Sequence, residues 1–324
     1  MSNFIHLHVH TQYSLLDGQA SIGKLLKKAT ADGMPGMAIT DHGNMMGVKE
    51  FFNSCKKLNK ERKEQGLAPF VPIIGCEMYV APHAKESKDK DLGDNVRYHL
   101  VVLAKNQTGY HNLIKLVSRA WVDGFYNKPR IDCELMERYH EGLICLSACM
   151  SGEVPKRILS GDDDGALEKA LYYQRVFGKD HYFIELQNHG IEAQQELNVK
   201  LTKIARKIGA GLVATNDCHY IRKEDSKLHD ILLCIQTQKK VSDEDRLKYE
   251  GGQYYVKSPE EMASLFSYAP EALENTQRIA ERCEVTIEFG NYKLPVYPTP
   301  DGLTSWEYLN QLCEVGLWKR YRSA

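Results

Sequence analysis

No stretch of the 324-residue chain approaches the ~20 consecutive apolar residues of a membrane-spanning helix. The opening residues, Met1-Ser2-Asn3-Phe4-Ile5-His6, lack the charged and apolar regions of a secretory signal. Neither sign of charge is in excess. Lys+Arg 42 against Asp+Glu 43 gives a net charge of -1, which excludes a uniformly basic nucleic-acid coat and an acidic solvating tail but leaves room for a local basic groove. A dense cysteine framework is also missing, and the nine scattered cysteines read as reduced thiols of a cytoplasmic protein. No G-x-G-x-x-G follows the first strand-like run, and no G-x-x-x-x-G-K-[ST] occurs, so dinucleotide and P-loop readings have no support. What remains, at 43% hydrophobic and 26% charged residues, is the composition of a globular protein.

Short β-type runs recur with helical stretches between most of them. The runs are Phe4 to Thr11, Gly36 to Thr40, Val71 to Ala81, Tyr98 to Ala104, Leu143 to Ser147, Tyr182 to Leu186 and Leu212 to Thr215. Helices are expected near 21–31, 44–65, 108–120, 164–176 and 191–208; the last carries an apolar stripe at Leu197, Leu201, Ile204, Ala205 and Ile208. Strand–helix alternation predicts βα units and a mostly parallel sheet. Seven or so such units over about 220 residues fit a closed α/β barrel better than a short open sheet, and an open doubly wound sheet is the main alternative. Beyond residue 220 the spacing predicts helices over 225–236 and 259–283, with a short strand at Tyr254-Tyr255-Val256. Pro295, Pro298 and Pro300 mark a linker. It leads to an amphipathic helix from Ser305 to Arg320, read as the start of a further domain. The expected division is a barrel over 1–285 and a linker with the beginning of a second domain over 286–324.

The strongest local signal is His6-Leu7-His8-Val9-His10. Side chains alternate along a strand, so the three imidazoles are expected on one face, pointing into a barrel or its mouth, where they are poor core material unless something binds them. Asp217 and His219 in Asn216-Asp217-Cys218-His219 follow the apolar run Leu212-Val213-Ala214, and Asp41-His42 follows Met37-Ala38-Ile39. Functional residues of βα barrels come from the C-terminal ends of strands. Glu77, His99, Cys149 and His189 are further candidates on or just past apolar runs. Imidazole, carboxylate and thiolate converging on one mouth are too many ligands for one ion, since Zn²⁺ takes about four. Two or three divalent ions, zinc, manganese or iron with magnesium as a further option, are therefore expected. Clustered ions of this kind serve hydrolysis at phosphorus by activating water and clamping oxygens.

HLHVH with Tyr13-Ser14-Leu15-Leu16-Asp17-Gly18, then ITDHG, GCE and NDCH, resembles the PHP (polymerase and histidinol phosphatase) domain family. The wider context is similar to the PHP domains that open bacterial DNA polymerase III alpha subunits: Gly124-Phe125-Tyr126 before Lys128-Pro129-Arg130, Leu146-Ser147-Ala148-Cys149, Ile184 to Gly190, and His219 to Asp225. The resemblance implies an α/β fold, a distorted seven-stranded (β/α) barrel, with a trinuclear centre held by His8, His10, Asp17, His42, Glu77, His99, Cys149, Asp217 and His219. Asp17, His42 and Asp217 would be the catalytic residues, and His6 and Asp41 would orient imidazoles. It implies a phosphoesterase, a 3′→5′ exonuclease acting on single-stranded DNA ends within a replicative polymerase. The alternative is a non-catalytic, metal-stabilised scaffold. The implied partners are DNA, the remaining polymerase domains, a separate proofreading subunit and a sliding clamp, with the segment from 286 being the start of the polymerase palm. No Asp-x-Asp pair follows a strand, so the chain itself is not expected to polymerise DNA. Arg130, Arg222 and Lys223 are the expected phosphate contacts, because guanidinium forks match phosphate geometry.

Overall fold

The computed structural model describes residues 4–292 and 294–321. The chain divides into two compact units, Met1–Thr286 and Ile287–Ala324. The first unit is built on eight strands: β1 (Gly36–Ile39), β2 (Val71–Val80), β3 (Tyr98–Ala104), β4 (Phe125–Tyr126), β5 (Lys128–Ile131), β6 (Leu143–Leu146), β7 (Tyr182–Leu186) and β8 (Gly211–Ala214). They form a curled sheet in the order β4-β5-β2-β3-β6-β7-β8, with β1 paired to β2.

The parallel pairs β1–β2, β6–β7 and β7–β8 follow the expected pattern, but β3 runs antiparallel to both β2 and β6. The cause lies in the connection. Between β2 and β3 there is a loop, residues 81–97, in place of a crossover helix, and without a crossover the chain returns antiparallel. The hairpin β4–β5 adds to the β2 edge and occupies a segment in which no strand was foreseen.

Residues 6–10 are not a laddered strand. They bridge the gap between β1 and the chain after β8 by separate hydrogen bonds: Ala38 N–H to His6 O, Thr40 N–H to Val9 O, Cys218 N–H to His8 O and His10 N–H to Cys218 O. The Val9 N–H is taken by the Thr40 hydroxyl at 2.9 Å, which breaks the ladder. The chain also bends at His8, so the strict alternation expected across 6–10 fails. Ile5 and Leu7 join Ala38, Ile73, Val101, Leu103, Ile144, Phe183 and Val213 in the buried apolar floor inside the curled sheet.

The helices of this unit begin with α1 (Ile22–Ala31), α2 (Val48–Glu64), α3 (Gln107–Val122), α4 (Cys133–Tyr139), α5 (Glu153–Leu159), α6 (Asp163–Phe177), α7 (Glu192–Ile208) and α8 (Ser226–Thr237). The expected helix 259–283 is two, α9 (Pro259–Leu265) and α10 (Pro270–Ala280). Pro270 cannot donate a backbone hydrogen bond and restricts the residue before it, so it opens a new helix. Tyr254-Tyr255-Val256 makes one bridge, Tyr255 to Tyr220, and no ladder.

In the second unit, α11 (Ser305–Tyr321) is the expected helix but not an amphipathic one. Trp306, Leu309, Leu312, Val315 and Trp318 are all exposed. At 3.6 residues per turn a spacing of three steps round the axis, so no single face collects them. No helix among the described residues is long and apolar enough to cross a membrane.

Candidate metal centre

The strand face that forms the apolar floor becomes polar towards one end. On β2, Ile73, Glu77 and Tyr79 share a face, and Glu77 and His99 meet across the β2–β3 pair. Because β3 is reversed, His99 reaches this mouth from the start of its strand, whereas Glu77, Glu185 and Asp217 reach it from the ends or exits of theirs. The nine residues expected as ligands are gathered here. His8 Nε2 lies 3.2 Å from both Glu77 Oε1 and Asp217 Oδ1, and His10 Nε2 lies 3.2 Å from Asp217 Oδ1 and 3.5 Å from Glu77 Oε2. His42 Nδ1 is 2.6 Å from Glu77 Oε2, and its Nε2 is 3.1 Å from Asp17 Oδ2. His99 Nδ1 is 2.9 Å from Glu77 Oε1, and the Cys149 thiol stands 3.7 Å from that same nitrogen. His219 Nε2 is 3.7 Å from Asp17 Oδ1.

Three imidazoles are held in one orientation. Glu185 Oε1 accepts from His8 Nδ1 at 2.7 Å, and the Asp217 carbonyl accepts from His219 Nδ1 at 2.8 Å. The Ser14 hydroxyl donates to Asp41 Oδ1 at 2.8 Å and therefore accepts from His10 Nδ1 at 2.9 Å. Each ring thus has its Nδ1–H fixed and turns Nε2 inward, the orientation of metal-binding imidazoles. His8 Nε2, His10 Nε2, His42 Nδ1, Asp17 Oδ1, Glu77 Oε2 and Asp217 Oδ1 are all buried without a hydrogen-bond partner. Orphaned buried polar atoms are costly, and six converging on one place are the donor set of a cation site. His10, His42 and His219, then His8, His10 and Asp217, then His42, Glu77 and His99, each offer three donor atoms within 4.8 Å of one another. His10 and His42 each belong to two of these groups, which suits ions that share or lie close to the same residues.

Against burial, the carboxylates of the cluster push His8 well above its ordinary value and His42 up to about 10, so each ring must give up its inward proton to bind a metal ion. Burial would raise Asp217, Glu77 and Asp17, but the surrounding imidazoles, His8, His99 and His219 foremost, hold each carboxyl well below its ordinary range. Burial and the adjacent His42 and His219 push His10 down to about 3, so it is neutral at pH 7 and able to ligate. Burial, Asp217 and Glu77 push the Cys149 thiol up, so it must lose its proton to serve as a ligand. Backbone strain concentrates here too. Leu16, Ala148 and Asp217 have φ of 60°, 63° and 45°; the first two precede Asp17 and Cys149. Non-glycine residues adopt such angles at a cost that surrounding structure must offset, and they cluster at functional sites.

Several residues depart from expectation. His6 faces away from the cluster, because of the bend at His8, and gives its Nε2 to the Lys257 carbonyl at 2.9 Å. His189 is buried, bonded to the Asn216 carbonyl and Gln194, and stacked on Tyr254 at 3.8 Å. Asp41 does orient an imidazole, through Ser14. Arg130 is not a phosphate contact: it is 0% exposed, and its guanidinium donates to the carbonyls of Gly124, Asp94, Lys85 and Ser87. It organises the loop between β2 and β3. Arg222 and Lys223 are exposed, but Arg222 lines a separate groove beside Lys24 and Lys28. The mouth, a cavity of about 510 Å³, takes its cations from Arg97, Lys128 and Lys248, none of them foreseen. Also missed were Glu185, His229, whose Nε2 is 3.5 Å from Asp17 Oδ1, and Tyr249, whose hydroxyl is 3.3 Å from His219 Nε2.

Two curated relatives, both called DNA polymerase III subunit alpha, come from Treponema pallidum, 45% identical over 98% of this chain, and Borreliella burgdorferi, 47% identical over 99% of it. The chain spans about a quarter of their length, 26% and 27%. A solved histidinol phosphate phosphatase from Lactococcus lactis, complexed with zinc, L-histidinol and phosphate, covers 78% of this chain and 98% of that one at 13% identity, with a TM-score of 0.36, too slight a likeness to build on. Residues 6–189, which hold seven of the nine clustered residues, match the family model of the PHP domain, and the chain belongs to that family.

Proposed function

We propose that the chain is the PHP domain of a DNA polymerase III alpha subunit, and that it hydrolyses the 3′-terminal phosphodiester of single-stranded DNA with divalent metal ions. The observation that carries the reading is the convergence of unpartnered buried Nε2 and carboxylate atoms at the mouth. His8, His10, Asp17, His42, Glu77, His99, Cys149, Asp217 and His219 would hold two or three ions. When bound, such ions lower the pKa of water and neutralise charge on phosphoryl oxygens.

The chain's own residues supply the rest. Asp17, held ionised, lines the open mouth 3.1 Å from His42 Nε2, and against burial Glu77 and Asp17 push His42 up to about 10, so the pair presents a carboxylate and a protonated imidazole that can orient an entering water by hydrogen bonds. Glu77 and Asp217 keep negative charge at the centre. Arg97, Lys128 and Lys248 at the rim counter the charge of an approaching phosphodiester. The relatives' names and their greater length support placing the domain in a replicative polymerase, with the segment from 286 leading into the palm and with DNA and the other polymerase domains as partners.

The test is to purify the chain, add Mn²⁺ or Zn²⁺, and follow a 3′-labelled single-stranded oligonucleotide alongside a His10→Ala, Asp217→Ala double variant. Shortening by the parent and none by the variant is expected. Full metal occupancy with no shortening by the parent would overturn the hydrolytic reading and leave a metal-held scaffold.

A further inference from the structure

A second, smaller cavity of about 230 Å³ opens beside the mouth, and Asp17, His42, Tyr79 and Lys128 line both. Its outer wall is aromatic. Trp121, at the end of α3, and Phe125, in β4, stack with centroids 5.6 Å apart and planes 24° apart. They remain 44% and 43% exposed, so ring area stays uncovered where a folded core would bury it. The indole is fixed in place: Trp121 Nε1–H donates to the Gly43 carbonyl at 2.8 Å, one residue from His42. The platform is thereby tied to the loop that carries a metal-site residue. Lys128 sits where the two cavities meet, its Nζ 5.6 Å from the Tyr79 ring centroid. An aromatic shelf with a cation beside it, continuous with a site for phosphodiester hydrolysis, is the combination by which proteins hold single strands. Bases stack on rings and the backbone follows positive charge.

We propose that Trp121 and Phe125 form a base-stacking platform for single-stranded nucleic acid, holding a base one or two nucleotides from the reacting end while Lys128 meets the phosphate between platform and metal centre. The inference rests on the phosphodiesterase reading for its substrate class, and it assigns the chain an oligonucleotide in place of a small phosphate ester. A small ester would fill the mouth and leave the aromatic shelf idle.

The test uses the 324-residue chain carrying W306F and W318F, which leaves Trp121 as its one tryptophan. A 5′-fluorescein dT oligonucleotide with a phosphorothioate backbone is titrated in, with chelator and with Zn²⁺, reading label anisotropy and tryptophan emission together. Trp121 emission is expected to fall along the same isotherm as anisotropy rises, and inorganic phosphate alone is expected to leave it unchanged. Trp121→Leu and, independently, Phe125→Leu should each weaken oligonucleotide binding by about fivefold to about a hundredfold, the range of one lost base–aromatic stack. Circular dichroism melts verify that each variant is folded. Binding without a change in Trp121 emission, or affinities within about twofold of the parent in both folded variants, overturns the platform and leaves the apolar rim as a protein contact. Hydrolysis of bis(p-nitrophenyl) phosphate is measured separately. Turnover with a silent Trp121 defeats the platform alone, whereas quenching without turnover of any diester defeats the hydrolytic reading alone.

Discussion

Ser14→Ala is the sharpest perturbation of the metal centre that removes none of its ligands. The Ser14 oxygen accepts from His10 Nδ1 at 2.9 Å and from the His42 backbone N–H at 3.2 Å, and donates to Asp41 Oδ1 at 2.8 Å. Ser14 and His10 are 1% and 0% exposed, so water cannot substitute. Alanine leaves two buried donors without an acceptor and takes one donor from Asp41, which keeps its two bonds from Thr11. Each orphaned donor costs ~1–3 kcal/mol, and with Asp41 still anchored a total of about 2–4 kcal/mol is expected. That corresponds to a melting temperature lower by about 5–10 °C. The more telling effect is on the ring. Without its acceptor, His10 no longer has its proton fixed on Nδ1, and losing such a support weakens metal affinity by about 10–100-fold. Competition against a chromophoric zinc chelator gives the affinity, and thermal melts with and without chelator give the stability. A folded Ser14→Ala variant that binds zinc within about twofold of the parent would refute the argument that Ser14 sets the tautomer of a metal ligand.

Glu185→Gln keeps an acceptor near His8 but removes the charge that strengthens that bond, so zinc affinity should fall by about tenfold or more in the same competition; no change would make Glu185 a space filler. Arg130→Lys should destabilise the first unit by about 3 kcal/mol or more, because one ammonium cannot reach four carbonyls arranged around a planar fork. Urea unfolding measures this, and a loss confined to oligonucleotide binding, with stability intact, would restore Arg130 as a phosphate contact. His189 is pushed down to about 4 by burial. Its unfolded counterpart protonates first as pH falls below about 6.5, so the stability it confers is full above that pH and is lost progressively towards 4. His189→Gln should therefore show a smaller fall in urea midpoint between pH 7 and pH 5 than the parent, and an equal or steeper fall would contradict the assignment.

The metal centre was legible because its residues come in short local patterns that survive folding: His8 and His10 two apart, Asp217 and His219 two apart, Asp41 and His42 directly after an apolar run. What was not legible depends on long-range geometry. The Val9 amide at the bend is captured by Thr40, just past the end of β1, and His6 is turned out of the site. Arg130 reads as a surface cation until the loop 81–97 wraps around it. Glu185 had a signal, a carboxylate inside the apolar strand Tyr182–Leu186, because a buried charge needs a partner. His229 and Tyr249 had none, since they arrive from α8 and from the segment after it. The reversed β3 was hidden by the same limit: apolar runs mark strands but not their direction, which the missing crossover helix decides.

The bridging of residues 6–10 to both β1 and Cys218 has a consequence for synthesis. The amide that caps His8 belongs to a residue about 210 positions later, and a ribosome adding about 5–20 residues per second takes roughly 10–40 s to reach it. During that interval His8 and His10 are outside the ribosome while Asp217 and His219 do not yet exist. The bonds from residues 6–10 to Ala38 and Thr40 can form early, but those to Cys218 cannot, so the centre is complete only after residues 217–219 have been made. Folding of this unit should be slow for its size, as contacts so distant in sequence dictate, and a nascent chain stalled before residue 217 should emerge with its histidines but without the cage that makes them a metal site.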